Sequence, residues 1–366
     1  MLDPNLPAIP NPVLQPDTFG FAMATVTWPV FTGGRIRAAR HAAQAGIDAA
    51  AAGLDVVRDG LLLDLVARYH GLRIAREAAD VQAGVVGSLQ RHLRNAEALE
   101  REGQIARADR MRAEVALAQA EASLQQRRHA ADLAEAALAS LLESDDDALD
   151  PVTPLAELPP LPELARLQDE AARTHPLLRQ LDALIAQAAQ GVRAARAEYA
   201  PTIVFAGAYE LESHQLPELI PEWTAGITMR LPLFDGGARR AKVSAAGALH
   251  DEAVAARREA DDRIRLLVRE RRLAGDDALR RVDVARRTVA LAGESLRMQR
   301  LAFAEGEARS IDVVDSENAL ALARLGLLAA RYDHALGWAW AMLAAGRRGA
   351  VERAFSNGPD RGNDDD

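Results

Sequence analysis

The sequence predicts a mainly α-helical chain with a small β part, in which a strand followed by a long helical hairpin occurs twice. The first observation is a repeated motif, WPVFTGGRIRAA from Trp28 and LPLFDGGARRAK from Leu231, whose prolines are 232 − 29 = 203 positions apart. The second is EGQIARAD from Glu102 and EGEARSID from Glu305, which gives 305 − 102 = 203 again. One offset at two distant landmarks indicates an internal duplication, and its period far exceeds the roughly 20–50 residues of a solenoid repeat.

The third observation is the composition of the 366-residue chain. Alanine, leucine and charged residues dominate long stretches, whereas aromatic residues are only 4%, a bias typical of long helices and coiled coils. The net charge is −9 and Lys242 is the only lysine, so nothing indicates a basic face for nucleic acid. The absence of cysteine excludes disulfides and thiolate metal sites.

Signatures of enzymes and cofactor sites are missing from the sequence. The 8 histidines are scattered without the spacing of metal ligands, and there is no Gly-x-Ser-x-Gly, Walker or dinucleotide-binding pattern. The glycine pairs are not phosphate loops, because no Gly-Lys-Ser/Thr sequence follows them. We therefore expect no enzyme activity, no cofactor and no metal site.

Alternating residues predict strands over Thr18–Phe31, Thr202–Glu210 and Trp223–Leu233, the last two joined by a loop SHQLPELIPE. One face of the first and third strands is apolar and carries Val26, Trp28, Ile227, Met229 and Leu231. Strands of about ten residues are long enough to cross a membrane at the tilt of outer-membrane barrels. A soluble hairpin sheet is the alternative that the pattern leaves open.

After each glycine pair, apolar residues recur at helical spacing for roughly 65 residues. Glycines at 103 and 306 should end these helices. A second helix should begin near Asp109 or Asp312 and run to about Leu142 or Leu343. The sequence contains no run of about 18 apolar residues, so no transmembrane helix is predicted. The N-terminus lacks the basic start and apolar core of a signal peptide.

These patterns divide the chain into five segments. They are a proline-rich loop remnant (1–17), a first repeat of strand and helical hairpin (18–143), a linker (144–162), a second repeat with short helices, two strands and a hairpin (163–346), and a disordered tail (347–366).

The repeated motif predicts a sharp corner from strand to helix. Proline has no amide hydrogen and so ends ladder pairing, whereas two glycines permit backbone angles that other residues avoid. Thr32 and Asp235 precede the glycine pairs and are good helix N-cap residues. The predicted corner residues are Pro29, Gly33, Gly34, Pro232, Gly236 and Gly237.

At these residues the chain resembles the TolC-type outer-membrane efflux family. PVFTGG and PLFDGG carry the resemblance, together with the pairs Gly103–Asp109 and Gly306–Asp312, and it extends from Thr18 to Gly346. The resemblance implies a homotrimer in the outer membrane, with each protomer giving four strands to one lipid-facing β-barrel and long helices to an α-helical tunnel through the periplasm. A periplasmic adaptor protein and an inner-membrane pump would complete a tripartite efflux or type I secretion system.

The implied function is a passive exit duct for drugs, metals or secreted substrates. The sequence departs from the family in one respect, because counterparts of Glu163–Glu210 would fall mostly before residue 1. We therefore expect three strands instead of four, from truncation, a misplaced start codon or a decayed gene. The alternative function is a truncated or non-functional helical structural protein that cannot complete the barrel.

The resemblance also implies two groups of functional residues. Asp312 and Asp315, three apart on one helical face, would line the periplasmic aperture, although their charges could simply complement a helix dipole. The tips that would dock the adaptor comprise Gly103, Gln104, Asp109, Phe303, Gly306 and Arg309. Phe303 matches an aromatic position of the family, whereas the first repeat has Glu100 there.

Overall fold

The computed structural model describes residues 20–144, 149–155, 158–214 and 222–356. Its elements follow in the order β1 (Gly20–Phe31), α1 (Arg35–Arg101), α2 (Arg107–Leu142), α3 (Leu164–Thr174), α4 (Pro176–Ala197), β2 (Thr202–His214), β3 (Trp223–Arg230), α5 (Ala238–Ala304), α6 (Ser310–Ala344) and α7 (Arg348–Ser356). The mainly helical class with a small β part is therefore confirmed.

The internal duplication is visible in the helix boundaries. Helices α1 and α5 each contain 67 residues, and their first residues are 238 − 35 = 203 positions apart. Helices α2 and α6 begin 310 − 107 = 203 positions apart. Both begin two residues before the expected aspartate, so Asp109 and Asp312 lie in the first helical turn. The strand and helical hairpin do occur twice, as the sequence predicts.

The glycine pairs lie between strand and helix with matching left-handed backbone angles. The φ angles are 61° at Gly33 and 90° at Gly34, against 66° at Gly236 and 90° at Gly237. Only glycine adopts such angles without a steric penalty. Gly33 also has no room for a side chain, since a Cβ atom there would lie 2.6 Å from the carbonyl oxygen of Ala197.

The two corner prolines do not occupy equivalent places. Pro29 lies within β1, where the pairing with β2 is irregular between Pro29 and Phe31. Pro232 lies two residues beyond the end of β3 at Arg230. The expectation that each proline precedes a strand end therefore holds for Pro29 alone. A proline is tolerated inside β1 because the irregular pairing accommodates its missing amide hydrogen.

The chain divides into two compact units, Met1–Ala49 with Leu181–Ala256, and Ala50–Gln180 with Arg257–Asp366. The first unit contains an antiparallel sheet in the order β1-β2-β3. Strand β2 is longer than expected, reaching His214, and β3 is shorter, ending at Arg230. The predicted loop SHQLPELIPE begins later than expected, because Ser213 and His214 belong to β2. Its residues 215–221 lie outside the described chain, as does the predicted remnant 1–17.

The second unit buries small apolar side chains between long helices. Near the hairpin tips, Val85 and Leu89 of α1 cluster with Ala116 of α2 and Val314 of α6. Helices α5 and α6 approach closely at a pair of glycines, where a Cβ atom on Gly337 would lie 3.5 Å from the Cα atom of Gly275. In the part of the chain that the structure describes, none of the helices has the length and apolar character of a membrane-spanning segment.

The prediction of a disordered tail from residue 347 is wrong for its first part, which forms α7. Val351 of α7 is fully buried, in a cluster with Trp338, Met342 and Val66. Arg348 donates hydrogen bonds to the carbonyl oxygen of Asp55 at 2.7 Å and to its carboxylate at 3.2 Å. The charged residues of this segment suggested disorder, although its apolar residues lie on one face of a short helix. Residues 357–366 lie outside the described chain.

Candidate functional site

The two hairpin tips are tight turns built around a glycine. Gly103 has a φ of 73° between α1 and α2, and Gly306 has a φ of 77° between α5 and α6. Gln104, Arg309 and both glycines are exposed, whereas Asp109 is half-buried. These residues therefore present an accessible backbone turn at the end of each hairpin.

Phe303 differs from the other predicted tip residues because it is buried. Its exposed fraction is 5%, and its ring centroid lies 4.7 Å from that of His92. Leu296, Val313 and Leu320 complete the surrounding cluster. Phe303 thus supports the tip from inside and offers no docking surface, a correction to its predicted role. The aromatic match is explained by hairpin packing.

The two predicted aperture residues have different surroundings. The Asp312 carboxylate accepts a hydrogen bond from the backbone N–H of Arg309 at 3.0 Å and pairs with the Arg309 guanidinium at 3.3 Å. Hydrogen bonding from the Arg309 side chain holds the pKa of Asp312 below its usual value. Asp315 lies one turn further along α6 and is exposed. Asp312 therefore has a local capping role, whereas Asp315 presents its carboxylate to solvent.

A buried polar network near the tips was missed from the sequence. Glu317 of α6 is only 4% exposed, and its carboxylate accepts hydrogen bonds from Arg300 of α5, at 3.0 Å from Nε, and from the hydroxyl of Ser88 of α1. His92 of α1 pairs with the hydroxyl of Ser310 at 2.8 Å. These bonds join three helices through groups that would be costly to bury unpaired.

Sequence periodicity could not reveal that network, because its members come from different helices. The one available signal is the position of Glu317, which falls at helical spacing on the same face as Val313, Val314, Leu320 and Ala321. Burial also lowers the pKa of His92, which keeps the imidazole neutral for its hydrogen bond to Ser310.

The sheet of the first unit has one apolar and one polar face. The strand register places Trp28, Phe205 and Ile227 side by side, and likewise Phe31, Ile203 and Met229. Cross-strand partners point to the same side of a sheet, so these residues form a continuous apolar face. Trp28 is 64% exposed, Ile227 74% and Met229 67%. No hydrophobic core covers this face within the described chain.

The opposite face of the sheet carries small and hydroxyl-bearing side chains. Thr25 aligns with Ala208 and Thr224, and Thr27 aligns with Ala206 and Gly226. At its end, Thr202 pairs with Arg230. An exposed apolar face opposite a polar one is the pattern of a strand between lipid and a water-filled lumen.

The long duplicated hairpins, tight tips and two-faced sheet are features of an outer-membrane channel protein. The family model described as "Outer membrane efflux protein" matches residues 19–143 and 167–340. The chain therefore belongs to the outer membrane efflux protein family, whose members are channels of the outer membrane and not enzymes.

Two relatives match part of the chain. Protein CyaE of Bordetella pertussis is 31% identical over 236 residues, which are 61% of this chain and 49% of that protein. Outer membrane protein OprJ of Pseudomonas aeruginosa is 33% identical over 218 residues, 56% of this chain and 43% of that protein. The matched part of the chain thus spans about half the length of each relative.

Solved structures agree with this fold over nearly the whole chain. The MtrE outer membrane channel of Neisseria gonorrhoeae has a TM-score of 0.74 at 21% identity, covering 91% of this chain and 81% of that one. The outer membrane protein VceC of Vibrio cholerae has a TM-score of 0.72 at 18% identity, covering 91% and 88%.

Proposed function

We propose that this chain is a channel subunit of the outer membrane, a passive exit duct for drugs, metals or secreted substrates. It would assemble as a homotrimer and act with a periplasmic adaptor protein and an inner-membrane pump. The observation that carries the proposal is the exposed apolar face of the sheet, opposite a face of threonine, alanine and glycine. A soluble hairpin sheet would bury such a face against a core.

The sheet edges support assembly. In the described part of the chain, β1 and β3 each pair only with β2, so each leaves one row of backbone groups unpaired. Unpaired backbone groups cost several kcal/mol each, roughly, in hydrocarbon. Closing a barrel with strands of other copies removes both edges.

Trp223 and Tyr209 pair across the far end of β2 and β3, where aromatic residues suit a membrane interface.

The channel proposal is tested by expressing the protein from its own locus, extracting the outer membrane and measuring both oligomeric state and conductance. We expect a crosslinked trimer and discrete conductance steps in a planar bilayer. A monomeric protein outside the membrane that conducts no current would instead favour the alternative, a helical structural protein unable to complete a barrel.

We further propose that Asp312 and Asp315 form the acidic aperture of the trimer, with six carboxylates around the axis. Asp315 should contribute most of the field, because Asp312 is already paired with Arg309. Carboxylates held close together repel one another, and bound multivalent cations relieve that repulsion. D315N should therefore weaken cation preference and trivalent-cation block more than D312N does, and the double variant should abolish both. Asparagine retains capping ability, so assembly should persist.

The matched control for the aperture is D109N. Asp109 occupies the equivalent position in the first repeat, 312 − 109 = 203 residues earlier, also in the first turn of its helix. D109N should leave ion selectivity unchanged if the second repeat alone lines the aperture. Equal cation preference in wild type and in D312N/D315N would reduce both aspartates to helix-start charges.

The tips are the proposed docking sites of the adaptor, because Gln104 and Arg309 are exposed on tight turns. Photocrosslinkers at these two positions should capture a periplasmic protein. A crosslinker at Gln125, exposed in the middle of α2, is the control for proximity without docking. Capture at Gln125 but not at the tips would contradict the proposed orientation.

A further inference from the structure

A cavity of about 650 Å³ lies where the strands meet the helices of the first unit. Its sheet wall comes from the polar face, through Thr202, Val204, Thr228 and Arg230. The remaining charged residues are Arg35 at the start of α1, Glu198 directly after α4, Asp235 before α5, and Arg239 and Lys242 in its first turns. Four basic groups and two carboxylates therefore line one space.

The two carboxylates are already neutralised within the cavity. Asp235 accepts a hydrogen bond from Nε of Arg239 at 2.7 Å, and Glu198 pairs with the Lys242 ammonium at 2.8 Å. The Arg239 guanidinium is further occupied, lying 5.0 Å from the centroid of the Tyr199 ring. Hydrogen bonding to Arg239 lowers the pKa of Asp235, so this pair stays charged.

Arg35 and Arg230 are left without compensation. Both are exposed, and neither has an acidic partner in the part of the chain that the structure describes. The cavity therefore carries two uncompensated positive charges in each protomer. Guanidinium groups offer paired N–H donors that match phosphate, sulfonate and carboxylate oxygens.

We propose that Arg35 and Arg230 form an anion-binding site for water-soluble solutes with two or more negative charges, such as organic phosphates or sulfonates. This inference rests on the proposed channel function, which makes the polar face of the sheet the wall of the lumen. Lipid head groups are disfavoured as the ligand, because the apolar face lies on the other side of the sheet. In a trimer the site would occur three times around the lumen.

The site is tested by titrating purified protein in neutral detergent with pyrene tetrasulfonate, a fluorescent tetra-anion, and following fluorescence anisotropy. R35Q/R230Q should weaken binding by about tenfold or more, because each arginine supplies charge-assisted hydrogen bonds. The binding constant should also fall as salt is raised, since exposed charges are screened. R240Q is the matched control: Arg240 is exposed near the start of α5 but does not line the cavity.

Equal binding by wild type and R35Q/R230Q, or an equal loss in R240Q, would overturn the site. Competition by anionic vesicles but not by inorganic pyrophosphate would also overturn it, in favour of a lipid head group. The cavity lies within one protomer, so the titration reads it even if the protein conducts no current. Conductance without anion binding would contradict this site alone, and anion binding without conductance would contradict only the channel proposal.

Discussion

The Glu317 carboxylate of α6 accepts hydrogen bonds from α1 and α5, so its removal should destabilise the packing of the three helices near the tips. E317A removes the carboxylate that accepts from the Ser88 hydroxyl and from Arg300, whose side chain is 46% exposed and can return to water. The expected loss is therefore modest, about 1–3 kcal/mol of unfolding free energy. Thermal unfolding in micelles measures it, with E305A on the exposed tip as control.

A double-mutant cycle separates the network from simple packing. If Arg300 and Glu317 interact as the geometry indicates, R300A should add little destabilisation once E317A is present. Additive effects of the two substitutions would show that the helices are held by apolar contacts such as those of Phe303, and that the buried carboxylate is incidental.

His70 should make the stability of the second unit depend on pH. It is 2% exposed, packs between Tyr69 and Phe355, and its Nδ1 atom has no hydrogen-bond partner among the residues that the structure describes. Burial, with the nearby positive charge of Arg73, lowers the pKa of His70 to about 4. The unfolded chain takes up a proton at its ordinary pKa of about 6.5, so stability is present above that pH and lost as pH falls towards 4.

The lowered pKa of His70 sets the size of the stability loss at acidic pH. Between pH 7 and pH 4 the wild type should lose roughly 1–3 kcal/mol more unfolding free energy than H70L, whose side chain cannot protonate. Urea unfolding at several pH values gives both curves, and their difference cancels the effect of the other histidines. Parallel curves for the two proteins would mean that the pKa of His70 is not lowered in the folded protein.

The strand-to-helix corner is the element on which the duplicated fold depends. Gly237 has a φ of 90°, and a Cβ atom there would meet nothing within 4 Å, so G237A tests backbone strain alone. We expect a cost of about 1–2 kcal/mol. Gly34 has the same angle and the same open surroundings, so G34A should cost about as much. Equal effects at both sites would confirm the equivalence of the two repeats.

Gly247 provides the control for that substitution. It lies inside α5, and a Cβ atom there also meets nothing within 4 Å. Because alanine is the better helix former, G247A should stabilise the protein by up to about 1 kcal/mol. The two alanine substitutions should thus have opposite signs. A destabilising G247A would show that the open surroundings of these glycines are filled in the assembled protein.

At the scale of the whole molecule, the environment of the sheet decides the function. Ile227 is 74% exposed in one protomer, so I227R should be nearly neutral if that face meets water. If the face meets lipid near the bilayer midplane, the cost should be roughly 2–4 kcal/mol. Heat-resistant trimers counted in isolated outer membranes provide the measurement.

The adjacent residue is a matched control for the membrane prediction. Thr228 lies on the polar face and is also exposed, so T228R should leave trimer yield unchanged while adding charge to the lumen. Equal yields of I227R and T228R would place both faces of the sheet in water.

Local chemistry in the sequence determined the elements of this protein. The corners were recognisable from their glycine pairs, Gly33–Gly34 and Gly236–Gly237. A left-handed backbone angle requires glycine at that position regardless of tertiary contacts. Period-2 spacing likewise predicted the strands, and helical spacing predicted two helices close to the 67 residues that α1 and α5 each contain. The constant offset of 203 positions predicted the duplicated architecture.

Tertiary structure alone decided which side chains meet. Glu317, Arg300 and Ser88 come from three helices, and α7 gains its order from Val351 packing against Trp338 and from Arg348 reaching Asp55. Phe303 turned inward, and Arg35 joined Arg230 in one cavity. Such pairings join residues far apart in sequence, and burial and charge compensation depend on what surrounds a side chain in space rather than on its neighbours along the chain.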